Sequence, residues 1–166
     1  MLKIISTKDY QVILKLNKSV HDLHVQLYPE HFKQYDETVI GGFFQSIINN
    51  PQFLFLLVED EGEYRGYAWV EYKDYPESPF TKSRQSIYVH HLNILESHKG
   101  KGYGSHLMNA IYEIARKNGR TKVELDYWVG NGAAEKFYEK EGFQSYREYV
   151  FKDLAMLKAN VDFLKV

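Results

Sequence analysis

The sequence predicts a single α/β domain, a mixed sheet carrying helices on its faces, and three observations lead there. The apolar pattern switches repeatedly between the helical period of 3.6 and strand-like runs. The length, 166 residues, suits one hydrophobic core, and no linker, internal repeat or low-complexity tract divides it. A glycine cluster at 100, 102 and 104 sits where a buried strand gives way to an amphipathic helix.

Taken in order, Leu2 to Ser6 reads as a short strand. A helix is predicted from Thr7, with Ile13, Leu16, Val20, Leu23 and Leu27 at steps of three or four, and it stops at Tyr28 because Pro29 excludes the helical region from its predecessor. Glu30 to Tyr35 is a polar-aromatic loop, and a second helix is expected over Glu37–Ile48, closed by Asn49-Asn50-Pro51. The continuous apolar run Phe53–Val58 reads as a buried strand, Glu61-Gly62-Glu63 as a turn, and Tyr64–Tyr72 as the returning strand. A surface loop from Asp74 leads to a third core strand, Ser86–Leu95. Tyr103–Asn118 is the clearest helix, with Leu107, Met108, Ile111, Ile114 and Ala115 in one stripe and Gly119 as its C-cap. Thr121–Val129 alternates as a strand, Asn131 caps a short helix that ends at Gly142, and Phe143–Lys152 reads as a last strand. The tail to Val166 fits neither template.

Composition narrows the function classes. Lys+Arg 21 against Asp+Glu 22 leaves a net charge of −1, which argues against a nucleic-acid partner held through phosphates. The absence of Cys removes disulfide frameworks, thiolate metal sites and cysteine nucleophiles together. The longest apolar run, Phe53–Val58, is too short to span a bilayer, and no apolar signal segment follows Met1, so neither membrane nor export is expected and the predicted location is the cytoplasm.

The segment His98-Lys99-Gly100-Lys101-Gly102-Tyr103-Gly104-Ser105 is a phosphate cradle in physical terms. Glycines let backbone N–H groups converge, a helix N-terminus adds partial positive charge, and Lys99 and Lys101 add full charges beside it. The P-loop pattern G-x-x-x-x-G-K-[ST] is absent. The dinucleotide fingerprint fails in spacing and in position, because only about 60 residues follow the cluster whereas that fingerprint belongs to the first βαβ unit.

Two segments instead resemble the GNAT superfamily of acetyl-CoA-dependent N-acetyltransferases. Leu92–Met108 is similar to that family's strand, loop and helix, with [Q/R]-x-x-G-x-[G/A] represented by Lys99, Gly102 and Gly104; Lys99 replaces the usual Arg or Gln. Asn131–Phe143 resembles N-x-x-A-x-x-F-Y-x-x-x-G-F. The resemblance covers about residues 53–152 and implies a mostly antiparallel, splayed central sheet with helices on both faces. It implies acetyl transfer from acetyl-CoA, the cosubstrate, to a primary amine by direct attack, with no covalent enzyme intermediate. The alternative class is a non-catalytic acyl-CoA-binding sensor.

By the same resemblance the backbone edge of Leu92, Asn93 and Ile94 receives the pantetheine arm, and Lys99, Gly100, Lys101, Gly102, Tyr103, Gly104 and Ser105 receive the pyrophosphate. Asn131 would contact the pantetheine, a role compatible with plain N-capping. Tyr138 would protonate the departing thiolate, the other reading being a core aromatic beside Phe137. Where relatives carry acidic bases this chain has His90 and His91, and strict alternation predicts that only one of them faces a given cleft. Glu71, Glu124 and Asp126 are the alternative bases, and no metal is expected at His90, His91 and His98. The acceptor is expected against His24, Tyr28, Glu30, His31, Phe32 and Tyr35, whose aromatic and acidic character suits a cationic amine. The expected partner is therefore a small-molecule amine or a protein amino group, and a homodimer is compatible with the sequence.

Overall fold

The computed structural model describes residues 1–154. The elements run β1 (Lys3–Ser6), α1 (Tyr10–Leu27), α2 (Glu37–Ile47), β2 (Phe53–Asp60), β3 (Glu63–Tyr75), β4 (Arg84–Ile94), a 3-10 turn (Glu96–His98), α3 (Tyr103–Lys117), β5 (Val123–Leu125) and α4 (Gly132–Lys140). The sheet order is β1-β2-β3-β4-β5. The first three pairings are antiparallel, while β4 and β5 run parallel.

Local chemistry sets the boundaries. The Asp9 carboxylate accepts the N–H groups of Gln11 and Val12, so α1 begins at Tyr10 rather than at Thr7. Asp36 does the same for Val39 at the start of α2. The hairpin strands β2 and β3 run longer than their apolar cores, because ladder hydrogen bonds continue into the polar residues at each end.

Alternation divides the sheet into two faces. Leu56, Val58, Ala68, Val70, Ile87 and Val89 point to one side, where Leu107, Met108, Ile111 and Ala115 of α3 cover them. Phe55, Leu57, Tyr67 and Trp69 point to the other, where Ile13, Leu14 and Leu16 of α1 and Phe44 of α2 close a second cluster. The molecule has helices on both faces of a mixed sheet, as the fold class predicted.

Two predicted strands differ. β5 keeps only Val123–Leu125 of the alternating run 121–129, because β4 pairs with it only through Ile87, Tyr88 and Val89. From there β4 continues to Ile94 with β3 on one side and no strand on the other among the described residues, so the sheet is open at this point. No strand is described over Phe143–Lys152; Phe143 still packs against the core, but residues 144–152 are exposed. The tail beyond Leu154 lies outside the described residues.

Candidate active site

The start of α3 and α4 pack against each other through Gly104 and Phe137, and Gly104 also lies against Leu92 of β4, beyond its pairing with β5. The cradle is a backbone structure. Gly100 and Gly102 hold φ values of 76° and 85°, the left-handed region that a side chain strains, and nothing lies within 4 Å of where their Cβ atoms would be. Gly102 is the N-cap of α3, and no side chain caps the helix. The first turn of α3 therefore presents N–H donors toward the loop, together with the positive end of the helix dipole. Lys101 is exposed beside them, while the Lys99 ammonium reaches Glu96 at 2.5 Å.

Gly104 is in close contact with other elements. A Cβ there would meet the Phe137 ring at 3.0 and 3.1 Å and Leu92 at 3.8 Å, so its smallness lets α4 and β4 close on α3. The Ser105 hydroxyl donates to Glu141 at 2.5 Å, tying the first turn of α3 to the end of α4. The Tyr103 hydroxyl donates to Asp60 at 2.9 Å.

Along the open edge, Leu92 and Ile94 turn their side chains into the α3-facing core. Asn93 is buried on the opposite face, where its amide donates to the Leu16 carbonyl at 2.9 Å and to Ser19 at 2.8 Å, fastening α1 to β4. A cavity of about 370 Å³ opens beside Asn93 and Ile94, with Ser19, Leu23 and Lys99 among its walls. Asn131 caps α4 by accepting the Ala134 N–H at 3.1 Å.

Tyr138 is buried at 8 % exposure between Tyr127, Phe137 and Phe143. Burial, with smaller contributions from Tyr112 and Asp126, pushes its hydroxyl up to about 12, so it stays protonated through the physiological range.

The histidines require a correction. Trp69 of β3 pairs with His91, yet the next residue, Val70, pairs with Val89, so His90 is an extra residue in β4. This β-bulge breaks the alternation. Val89 and Leu92 both face the α3 core, while His90 and His91 both lie against the Trp69 ring on the other face, with centroids 4.3 and 5.2 Å away. Strict alternation predicted that only one would face a given cleft; the bulge puts both on the same side.

Their surroundings differ. The Tyr67 hydroxyl takes a hydrogen bond from Asn17 at 2.8 Å and lies within hydrogen-bond distance of His91 Nδ1 at 2.9 Å, with Asn17 also 3.3 Å from that nitrogen. Burial, and then the neighbouring His24, His90 and His21, push His91 down to about 3, a neutral ring with its Nδ1 occupied. His90 instead places Nε2 2.7 Å from Glu71 Oε2. Burial lowers His90 below its ordinary 6.5, opposed by Glu71 and Asp126. Tyr88, whose ring centroid lies 4.9 Å from His90, donates its hydroxyl to Asp126 at 2.7 Å. Asp126 thus acts electrostatically on both His90 and Tyr138.

Of the alternative bases, Glu124 is buried and committed. It accepts from Ser86 at 2.5 Å and Tyr146 at 2.7 Å, and these bonds hold its carboxyl below the ordinary range against the burial that would raise it. Among the described residues no three His, Asp or Glu side chains gather as a metal site.

The residues expected to meet an acceptor largely meet one another. Tyr28, His31 and Phe32 pack around Trp128 with centroids 4.4 to 5.3 Å away, His24 stacks on Phe32, and Tyr28 accepts the Gly130 N–H at 2.9 Å. Glu30 is exposed and 3.8 Å from the His31 ring. Tyr35 turns inward and donates to the Leu14 carbonyl at 3.0 Å. This cluster closes the α1–α2 connection over the turn before α4. Trp69, Tyr88, Trp128 and Glu141 were not singled out from the sequence; their positions depend on strand pairing and on contacts between distant segments.

Comparison with known proteins bears on the family and the fold. The model of the acetyltransferase (GNAT) family matches residues 17–143. Among curated proteins, an uncharacterized N-acetyltransferase, YycN, of Bacillus subtilis is 31% identical over 55% of this chain and 54% of its own length. A second, MJ1207 of Methanocaldococcus jannaschii, is 37% identical over 46% of this chain and 34% of its own. The chain thus spans about half, or less, of the length of these relatives. Among solved structures, a tetramutant of the BH1408 protein of Bacillus halodurans superposes with a TM-score of 0.85 at 23% identity, covering 93% of this chain and 99% of that one. A predicted acetyltransferase of Clostridium acetobutylicum, solved with acetyl-CoA, gives 0.69 at 16% identity, with 96% and 100% covered.

Proposed function

Because the chain belongs to the acetyltransferase (GNAT) family, we propose that it transfers an acetyl group from acetyl-CoA to a primary amine by direct attack, without a covalent enzyme intermediate. The observation that carries this reading is the uncapped start of α3, with left-handed Gly100 and Gly102 and clear space above both, set beside the unpaired edge of β4. A diphosphate fits such a cradle because the donors and the dipole are already aligned. Lys99, Lys101 and the backbone of Gly100–Ser105 would hold it, the free edge of Leu92, Asn93 and Ile94 would pair with the amide-bearing arm, and the Asn131 amide would meet that arm at the head of α4.

The chemistry needs a lone pair on the amine and a proton for the thiolate. An alkylammonium must shed a proton first, since its ordinary pKa is about 10. His90 is the proposed base: its ring is partly exposed on the α1–α2 face of the sheet, and burial lowers it below its ordinary 6.5, which favours the neutral form. His91 is the weaker choice because Tyr67 and Asn17 occupy its Nδ1. Tyr138, protonated and buried beside α4, is the proposed acid. Asp126, between them electrostatically, would draw the ammonium in.

The acceptor is proposed as a cationic primary amine, small or borne by a protein. Structural neighbours include an aminoglycoside acetyltransferase, AAC(6')-Iy, in complex with a bisubstrate analogue, and one relative is named a putative ribosomal-protein alanine N-acetyltransferase. The test is a panel of primary amines incubated with acetyl-CoA while free thiol is followed. Acetylated product supports the reading. Binding of acetyl-CoA without turnover on any amine would favour a sensor, and no rise in melting temperature at millimolar acetyl-CoA would overturn both.

A further inference from the structure

We infer that Glu71 is a positioning residue that dictates which nitrogen of His90 takes the proton from the amine. The inference rests on His90 acting as the base, and it stands on how the ring is held. Glu71 and His90 sit on neighbouring strands with side chains on the same face of the sheet, and the bulge brings His90 Nε2 to 2.7 Å from Glu71 Oε2. The imidazole lies flat on Trp69 at 4.3 Å and 18°, and Phe53 and Tyr88 bracket it edge-on at 6.0 and 4.9 Å. Packing therefore fixes the plane of the ring.

Packing alone does not choose between the two orientations related by a half-turn about the Cβ–Cγ bond. Glu71 does, because only one presents Nε2–H to its carboxylate. The carboxylate is itself anchored: Gln52 donates to Oε1 at 2.9 Å, the Lys73 ammonium lies 3.8 Å from Oε2, and the Glu71 side chain is only 13% exposed. With Nε2–H committed to Glu71, the lone pair is on Nδ1, and no described residue bonds to it. At His91, by contrast, Tyr67 and Asn17 already fill Nδ1. One ring keeps its basic nitrogen free, and the other spends it on Tyr67.

The proton step then balances. An N–H bond of the ammonium breaks and an Nδ1–H bond forms, while the electron pair stays on the amine nitrogen for attack on the thioester carbon. The resulting imidazolium faces the Glu71 carboxylate. The groups acting on His90 are Glu71 and Lys73 on β3, Tyr88 and His91 on β4, and Asp126 just beyond β5; β2 contributes Phe53, which does not titrate. Removing the Glu71 charge takes away the strongest group favouring protonation, so the acidic limb of the rate profile moves to lower pH.

Two measurements test this. Long-range ¹H–¹⁵N spectra of the imidazoles in the wild-type protein at neutral pH should report His90 with its proton on Nε2, and Glu71→Gln should mix the two tautomers. A wild-type His90 carrying its proton on Nδ1 overturns the inference without any variant having to fold. Against pH, with an amine that the transfer assay accepts, Glu71→Gln should shift the acidic limb downward. It should also lower kcat by about tenfold, less than the roughly 10²–10⁴-fold expected for His90→Ala, with KM for acetyl-CoA unchanged. If His90→Ala abolishes the limb but Glu71→Gln leaves it in place, the positioning role fails alone. If His90→Ala leaves the limb untouched, the assignment of His90 as base fails first.

Discussion

The two sides of the opening between β4 and β5 are built from different materials. On the α3 side the chemistry is main-chain: left-handed glycines, uncapped N–H groups and an unpaired strand edge. On the α1–α2 side it is side-chain: two histidines delivered by a bulge in β4, held by a tryptophan, a glutamate and a tyrosine of the neighbouring strand β3. A main-chain site tolerates a change of residue type as long as the backbone path survives. A side-chain site depends on protons and on who shares them. The two sides should therefore fail in different ways when perturbed.

The largest expected effect is on chemistry. Tyr138→Phe removes one hydroxyl and keeps the ring packed against Tyr127 and Phe143, so kcat should fall by about 10²–10⁴-fold while KM for acetyl-CoA and the melting temperature hold. A fall of less than threefold in steady-state kinetics would return Tyr138 to a packing role. Next comes the main-chain side. Gly102→Val places a β-branched side chain at φ 85°, a strain of about 1–3 kcal/mol, and if the loop shifts to relieve it, KM for acetyl-CoA should rise by roughly ten- to a hundredfold. Circular dichroism should show the fold retained, and kcat at saturating acetyl-CoA should change little. A collapse of kcat with unchanged KM would break the contrast between the two sides.

The third expectation concerns pH and stability. His91 takes up a proton near pH 6.5 when unfolded but only near 3 when folded, so between these values the unfolded chain holds more protons and stability falls as pH falls. The slope attributable to His91 is up to about 1.4 kcal/mol per pH unit, readable from urea denaturation at pH 7 and pH 5. His24 and His90, lowered in the same sense, add to it. His91→Gln should flatten the slope; an unchanged slope would mean the ring is wetter than its contacts imply. The smallest effect should come from Gly104→Ala. Its methyl would sit 3.0 Å from Phe137, an overpacking of about 1–3 kcal/mol, seen in calorimetry as a melting temperature lower by about 2–4 °C per kcal/mol.

What could be read in advance follows the same division. The cradle and α3 were legible because their signals are local: glycines at fixed offsets, an apolar stripe at helical spacing, and Arg116 and Lys117 before Gly119. The Asn131 cap was legible for the same reason. The common orientation of His90 and His91 was not, because a bulge is visible only once β3 and β4 are set in register. Nor was the packing of Tyr28 on Trp128, residues a hundred positions apart whose types alone suited an open aromatic surface equally well. The alternation at 121–129 is genuine, but a strand needs a partner, and β4 offers only three residues before the two diverge. Asp9 was the missed local signal, an N-cap within sight of a helix expected to begin at Thr7.

The bulge has a further consequence for how such a strand can change over time. Deleting either histidine would restore unbroken alternation from Ser86 to Ile94, with Ile87, Val89, Leu92 and Ile94 still entering the same core. The extra residue is thus an insertion that the hydrophobic interior does not register. Its whole effect falls on the opposite face, which gains a second imidazole at no expense to packing beneath it. A sheet that absorbs a one-residue insertion in this way uncouples one face from the core, leaving that face free to be rewritten while the fold stays constant.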